Sequence, residues 1–353
     1  MVNSEGASGV EIGNNEHRLL SVLAERAAAG SLPGARQDGQ RVALAIEGGG
    51  MRGTVSAGMA SALEELGLLP LFDAVYGSSA GAISGAWLLS SRPQGLRGWT
   101  DPAFARALIR RRNLLRFRPV VDVEQLVEVV YTSQFPLDYP SVLANPIEFH
   151  PLATDVTSGA PVDLHGRLDD ERALRLALRA SAAMPVLAGR PVAIGPDRYY
   201  DAGVAESIPF HQALRDGATH VLVLRSRRLM DRAPERERPS LGYRLVARFG
   251  MRGYSGALRT VFLSGDARLA EADLLLARYD IDEDHDGPAL LSIRPSDASP
   301  RVSRLESDGR LLRTAFEVGR EAVMTRLGGV AAAAGGSRAA WTGSRRSGNS
   351  TTR

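Results

Sequence analysis

The chain has 353 residues and 44% hydrophobic content, which is enough for one large α/β domain or two ordinary ones. Cysteine is absent, and all 43 residues counted as lysine or arginine are arginine. This composition excludes disulfides, thiolate nucleophiles, a Walker lysine and a Ser-Lys dyad. The formal net charge is only +3 and the chain holds no long apolar run, so we expect a cytoplasmic protein without a nucleic-acid partner.

The first half of the chain alternates short apolar runs with helical patterns. This alternation is typical of a parallel sheet covered by helices. After a polar N-terminus (1–16), the predicted elements are a helix over 17–29, a strand over 42–46, a glycine loop over 48–53, a helix over 54–66, a strand over 74–76 and a helix over 80–89.

An arginine-rich stretch follows at residues 101–119. It carries six arginines from Arg106 to Arg118, with apolar residues among them and no acid after Asp101. Such a pattern predicts an amphipathic surface helix, which is either a solvated face or a peripheral contact with an anionic membrane.

The remaining chain continues the mixed pattern. It predicts two hairpins (147–154 with 161–164, and 191–194 with 198–200), helices over 169–180 and 210–216, a strand over 220–224, an exposed loop over 227–240, helices over 258–277 and 311–327, and a strand over 290–293.

The glycine loop supports two hypotheses. Gly48, Gly50 and Gly53 satisfy GxGxxG between a strand and a helix, as in a nucleotide-binding oxidoreductase. Asp73 has about the spacing of a ribose-binding acid, but it precedes its strand instead of following it. The alternative is that the loop amides stabilise an oxyanion in acyl transfer.

A GxSxG pattern occupies the next strand-to-helix junction. Gly77 and Gly81 flank Ser79 at the spacing of a nucleophile elbow, although a tight structural turn would use the same residues. Without lysine or cysteine, the base must be His, Asp or Glu. Asp201 follows a predicted strand, and His211 and His220 come later, which leaves a Ser-Asp-His triad open.

Three motifs in this order, EGGGMRG, GSSAG and YYDAGV, resemble the patatin-like phospholipase family. The segments ATDVTSG and ASAAMPVL match it more weakly, and the resemblance covers Val42 to Pro209. It implies a three-layer α/β/α fold with a mainly parallel central sheet, and serine-dependent hydrolysis of a lipid ester without metal or other cofactor. By position, Ser79 is the nucleophile and Asp201 its partner. The oxyanion segment is Gly48, Gly49, Gly50, Met51, Arg52 and Gly53.

Composition and the resemblance together suggest a division of the chain. We expect residues 1–40 to form an N-terminal tail and helix, 41–212 the patatin-like catalytic core, 213–327 the rest of the same domain, and 328–353 a disordered tail.

One departure bears on activity. The family has Asp-Gly-Ala or Asp-Gly-Gly at the aspartate, whereas this chain has Asp201-Ala202-Gly203. A methyl group fits at Ala202 if the backbone there avoids positive φ. Otherwise Asp201 is displaced, and the chain is an inactive lipid-binding relative.

Overall fold

The computed structural model describes residues 17–110, 113, 119–231, 241–281 and 287–333. The strands are β1 (Val42–Ile46), β2 (Ala74–Ser78), β3 (Glu148–Asp155), β4 (Pro161–Asp163), β5 (Val192–Ile194), β6 (Asp197–Asp201), β7 (His220–Leu224) and β8 (Ala289–Ile293). The helices are α1 (Arg18–Ala28), α2 (Gly53–Glu65), α3 (Ala80–Leu89), α4 (Pro102–Leu108), α5 (Val123–Gln125), α6 (Tyr139–Leu143), α7 (Glu171–Ala182), α8 (Phe210–Arg215), α9 (Leu241–Leu245), α10 (Gly256–Leu263), α11 (Gly265–Tyr279) and α12 (Gly309–Ala333). Two of them continue as π-helices, α5 over Leu126–Gln134 and α9 over Val246–Gly250.

The eight strands form one mixed, mostly parallel sheet. Its order is β5-β6-β3-β2-β1-β7-β8, and β4 pairs with β3 beside this path. The pairs β3–β2, β2–β1, β1–β7 and β7–β8 are parallel. The two predicted hairpins supply the antiparallel part, since β4, β5 and β6 enter through antiparallel pairs. This is the α/β fold that the motif order implied.

Helices cover both faces of the sheet. Alternate β1 residues point to opposite sides, so Val42, Leu44 and Ile46 join one core cluster while Ala43 and Ala45 join another. The first cluster packs under α1, α2, α3 and α12, and the second packs under α8 and α11. Two buried faces of one sheet give the three layers expected from the sequence.

Helix α4 is much shorter than the arginine-rich stretch predicted. It ends at Leu108 because Ile109 then forms an antiparallel bridge with Val121, and the Arg110 amide donates to the Val120 carbonyl. Most of the remaining arginines lie outside the described residues. A continuous helix over 101–119 is therefore wrong, and membrane contact through this stretch stays a prediction.

The predicted helix over 258–277 is two helices. The break falls at Ser264, because α10 and α11 pack on different clusters. Leu258 of α10 packs with Tyr200 and Met251, whereas Leu269 of α11 packs beneath the sheet.

The last helix is longer than predicted. Helix α12 runs over 25 residues to Ala333, past the predicted start of a disordered tail at 328. Burial of Val323, Leu327 and Val330 in the first core cluster accounts for the extension. No helix in the described parts of the chain is long and apolar enough to cross a membrane.

Candidate active site

The site lies at the carboxyl edge of the parallel strands. The glycine loop follows β1 directly, and Ser79 follows β2, its neighbour in the sheet. Asp201 ends β6 and pairs with Ala153 of β3, the strand on the other side of β2. Ligand sites of α/β sheets collect at this edge because the loops after adjacent strands meet there.

Ser79 occupies a strained turn between β2 and α3. Its φ of 55° and ψ of −119° put a non-glycine residue in a sparsely populated region of backbone space. The flanking glycines permit the close packing around it. A Cβ on Gly77 would lie 2.4 Å from the Ala82 Cα, and one on Gly81 would lie 2.1 Å from the Ile46 carbonyl oxygen. The tight turn therefore has the geometry of a nucleophile elbow, with the serine at its apex.

The Ser79 hydroxyl donates a hydrogen bond of 2.7 Å to Oδ2 of Asp201. The other carboxylate oxygen, Oδ1, accepts the Gly203 amide at 2.7 Å. Both side chains are buried, with 6% of Ser79 and 2% of Asp201 exposed. The structure thus brings together the two residues that the resemblance paired.

Burial raises the pKa of Asp201 to about 6, although the hydrogen bonds from Ser79 and Gly203 and the charge of Arg304 act in the opposite direction. A carboxylate with this pKa is a better proton acceptor near neutral pH than an ordinary aspartate. Removal from water is the dominant cause, because an ionised carboxylate loses more solvation than its hydrogen bonds restore.

Ala202 does not displace the aspartate. The only described non-glycine residues with positive φ are Ser79 and Val186, and Ala202 begins a short 3-10 helix over Ala202–Val204. Its methyl group is buried in the second core cluster. The backbone condition for an alanine at this position is therefore met.

Four of the six residues in the expected oxyanion segment have their amides engaged. These amides hold the loop in shape and are not free to bind a ligand. The bonds join the Gly48 N–H to the Ser207 carbonyl, Met51 to Arg304, Arg52 to Gly49, and Gly53 to Gly50 and Met51.

The remaining two amides belong to Gly49 and Gly50. Neither donates to an acceptor within the described residues. Gly50 has a φ of +57°, and a Cβ there would lie 2.6 Å from the Arg304 carbonyl oxygen, so both conformation and space favour glycine. Of the six residues in the expected oxyanion segment, Gly49 and Gly50 are therefore the two whose amides have no acceptor among the described residues.

Two cavities meet at the Ser79–Asp201 pair. The larger, of about 360 Å³, is lined by polar and apolar residues and includes Gly49. The smaller, of about 50 Å³, is mainly apolar and includes Gly50. Both cavities border Ser79 and Asp201. The smaller cavity is further lined by Ile83, Trp99, Leu108, Ile109, Val121, Val123 and Leu305.

The histidines left open by the sequence lie elsewhere. Neither His211 nor His220 borders either cavity. The His211 ring packs on Phe210, and Nδ1 of His220 hydrogen bonds with the Thr219 hydroxyl at 2.9 Å. The geometry therefore supports a serine–aspartate pair and gives no support to a triad.

Asp73 forms structural contacts at the amino ends of the parallel strands, opposite the ends that carry the glycine loop. Its carboxylate forms ion pairs with Arg26 at 2.9 Å and Arg36 at 2.7 Å, and accepts the amide of Val42, the first residue of β1. The glycine loop follows the last residue of β1. Asp73 thus lies at the wrong end of the strand for a ribose beside that loop.

Two residues that the sequence patterns did not single out position the backbones of Ser79 and Asp201. The Ser79 amide donates to the Ser181 hydroxyl at 3.0 Å, and the Thr154 hydroxyl donates to the Asp201 carbonyl at 2.8 Å. Ser181 lies in ASAAMPVL and Thr154 in ATDVTSG, the two weaker family segments. The weaker family resemblance of these two segments was the sequence feature that pointed to Ser181 and Thr154.

A buried ion network supports the glycine loop from beneath. Arg225 bonds Glu47 at 3.1 Å and Asp273 at 2.6 Å, and all three are almost fully buried. Burial alone would raise the pKa of Glu47, but the charges of Arg225, Arg227 and Arg52 outweigh it and lower the pKa to about 2. Glu47 directly precedes Gly48, so the network fixes the start of the loop.

One group of described residues has the spacing of metal ligands. Ligand atoms of His150, Asp163 and Asp216 lie within 4.8 Å of one another. His150 already contacts Asp163 at 2.7 Å and stacks on Tyr76 and His165. None of the three candidate ligands borders the cavities at Ser79, so the group is not part of this site.

The protein has an α/β fold with a mostly parallel sheet. The strained turn at Ser79, beside its hydrogen-bonded aspartate, has the geometry of a nucleophile elbow. Residues 44–214 match the family model described as patatin-like phospholipase. Over that range the chain belongs to the patatin-like phospholipase family.

The chain is also similar to individual curated proteins. The uncharacterized protein YjjU of Escherichia coli (strain K12) is 28% identical over 194 residues, covering 53% of this chain and 52% of YjjU. The uncharacterized NTE family protein Rv1063c of Mycobacterium tuberculosis (strain H37Rv) is 30% identical over 180 residues, covering 48% of this chain and 44% of Rv1063c. The chain spans about half the length of these curated relatives.

Among solved structures, VipD from Legionella pneumophila is similar at a TM-score of 0.38 and 13% identity, covering 82% of this chain and 67% of VipD. A likeness at this level carries no argument about function.

Proposed function

We propose that this protein is a serine-dependent lipid acyl hydrolase that uses a Ser79–Asp201 dyad. The 2.7 Å hydrogen bond from the Ser79 hydroxyl to the Asp201 carboxylate carries the proposal. It places a nucleophile and a base in contact at the junction of two cavities. Family membership supports the reaction class, since the family is named for phospholipases.

The reaction proceeds in two steps. Asp201 accepts the Ser79 proton while the serine oxygen attacks the ester carbonyl, and the proton then passes to the departing alcohol. The acyl group is left on Ser79. Water, deprotonated by Asp201, attacks this second ester, and the fatty acid leaves as Ser79 regains its proton.

The amides of Gly49 and Gly50 stabilise the oxyanion in both steps. Neither amide has an acceptor among the residues that the structure describes, and Gly49 and Gly50 border the cavities that contain Ser79. Preorganised donors of this kind contribute roughly 3 to 4 kcal/mol each to acyl transfer, because they face the charge only as it develops.

The two cavities suggest how a lipid ester binds. The small apolar cavity suits part of an acyl chain, since its lining offers hydrocarbon and aromatic contacts. The larger cavity suits the alcohol part, because it includes polar and charged groups beside the dyad. An ester group spanning the junction would present its carbonyl to Ser79.

The inactive lipid-binding alternative predicts a displaced Asp201, but Asp201 is within hydrogen-bonding distance of Ser79. The oxidoreductase alternative needs a ribose-binding acid, whereas Asp73 is paired with two arginines. Both observations favour the hydrolase.

Turnover of p-nitrophenyl butyrate tests the proposal directly. Ser79→Ala should reduce kcat by at least a thousandfold and abolish labelling by a fluorophosphonate probe, and Asp201→Ala should reduce kcat comparably. His211→Ala is the matched control and should retain activity. A loss in His211→Ala as deep as that in Ser79→Ala would overturn the dyad, and an unlabelled folded wild type would favour a lipid-binding protein.

A further inference from the structure

Residues 241–252, named here the rim segment, expose large apolar side chains along one side of a helix. Leu241, Leu245 and Phe249 are 69%, 48% and 65% exposed. They recur every four residues through α9 and the π-helix that continues it, so they share one face. Ala247 and Met251 are buried on the other side. The segment is therefore anchored in the fold while a hydrophobic face points to solvent.

The rim segment borders the larger cavity. Val246 lines that cavity, together with Val186 from the loop after α7. A Cβ on Gly250 would lie 2.4 Å from Val186 Cγ2, so the loop and the segment touch. Val186 is itself 45% exposed. The exposed apolar surface thus continues from the rim segment to Val186, which lines the same cavity as Ser79.

The charge of the rim segment is entirely positive. Arg244, Arg248 and Arg252 are exposed, and the sequence has no Asp or Glu from 241 to 264. An apolar face flanked by arginines fits the interface of an anionic bilayer, where the apolar side chains enter the acyl boundary and the guanidinium groups meet phosphates. A neutral surface would offer no partner for the three charges.

We propose that the rim segment docks the protein on anionic lipid bilayers and turns the larger cavity toward the lipid. This binding does not require catalysis, although its use in delivering a lipid ester rests on the hydrolase function proposed above. It also differs from the contact expected of residues 101–119, where the described helix stops at Leu108.

Co-sedimentation of the full chain carrying Ser79→Ala with phosphatidylglycerol/phosphatidylcholine vesicles tests the apolar part. Adding Leu245→Ser and Phe249→Ser should weaken vesicle binding at least tenfold. Leu274→Ser with Ile281→Ser is the matched control, because these side chains are also exposed but lie outside the rim segment. The control should bind like its parent, and a loss equal to that of the rim variant would overturn the proposal.

The charged part is tested with Arg244→Gln, Arg248→Gln and Arg252→Gln combined. At low salt each arginine contributes about fivefold to binding of an anionic surface, so the triple variant should lose roughly a hundredfold. The comparison is Arg106→Gln with Arg110→Gln. Loss in this double variant with retention in the triple variant would move the contact to the arginine-rich stretch and overturn the proposal.

Further outcomes separate lipid docking from its competitors. Absence of binding to anionic vesicles, or equal binding to phosphatidylcholine alone, contradicts it. A dimer seen by light scattering that becomes a monomer in Leu245→Ser/Phe249→Ser identifies a protein interface instead. On the wild-type background, this rim variant should keep turnover of the soluble p-nitrophenyl ester within about twofold, so loss of docking is distinguishable from failure of the hydrolase.

Discussion

Ser79 donates a 2.7 Å hydrogen bond to Asp201 although 122 residues separate them in the chain. The end of one helix holds both backbones. The Ser79 amide donates to the Ser181 hydroxyl in α7. The Asp201 amide donates to the carbonyl of Ala183, the residue that caps the carboxyl end of α7. The separation of the Ser79 and Asp201 backbones is therefore set by a shared support, the end of α7.

Hydrolysis should depend on pH through Asp201. Because its pKa is raised to about 6, the proton-accepting form is lost below that value. We expect kcat/KM for a soluble ester to fall about tenfold for each pH unit below 6 and to level off above 7. Stopped-flow turnover between pH 4.5 and 8 measures this, with circular dichroism to verify folding at each pH. A flat profile from pH 5 to 7 would contradict the assignment of Asp201 as base.

Asp201→Asn should stabilise the fold while abolishing activity. A raised pKa means that the folded state favours the protonated carboxyl over the ionised one. The contribution of the protonated carboxyl to the free energy of unfolding is therefore fully present below the unfolded pKa and is lost as pH rises through about 6. At pH 7 the variant should gain roughly 2 to 3 kcal/mol of unfolding free energy, and the gain should vanish near pH 4. Urea titration at both pH values measures it, with exposed Asp169→Asn as the control. Equal stability of variant and wild type at pH 7 would refute the desolvation argument.

Ala202→Gly tests whether the departure from the family motif matters. The Ala202 backbone avoids positive φ, so restoring glycine should leave kcat/KM within about twofold. Loss of a buried methyl group and greater chain entropy should lower stability by about 1 kcal/mol. Ester turnover and thermal unfolding measure the two effects. A tenfold rise in activity would show that alanine impairs the site.

Glu47→Gln should destabilise the protein by about 3 to 5 kcal/mol. The substitution leaves buried Arg225 with Asp273 as its one remaining carboxylate partner among the described residues. In the wild type the pKa of Glu47 is lowered to about 2, so its contribution is present above the unfolded value of 4.5 and is lost as pH falls toward 2. Chemical unfolding at pH 7 measures the loss, and exposed Glu25→Gln should change little. A loss below 1 kcal/mol would show that the network does not stabilise the loop.

Local patterns predicted much of the fold. The strands β1 and β7 and the helix α3 have the predicted bounds, because apolar runs and small residues beside glycines determine local conformation. The predicted helix bounds were wrong where packing against distant parts of the chain ends or divides a helix. Helix α4 ends at Leu108 because Ile109 pairs with Val121, although the arginine-rich sequence continues beyond it. Ser264 separates two helices that cover different core clusters.

The motifs that resemble the family pointed to Ser79 and Asp201, and the structure places these two side chains within hydrogen-bonding distance. Their catalytic roles stay a prediction. Sequence could not tell which loop amides remain available. That depends on the Ser207 and Arg304 carbonyls, which accept from the Gly48 and Met51 amides. The amides of Gly49 and Gly50 have no acceptor in the part of the chain that the structure describes. The tertiary structure alone also decided the setting of Asp201, because burial by distant segments raises its pKa and the local backbone accommodates Ala202.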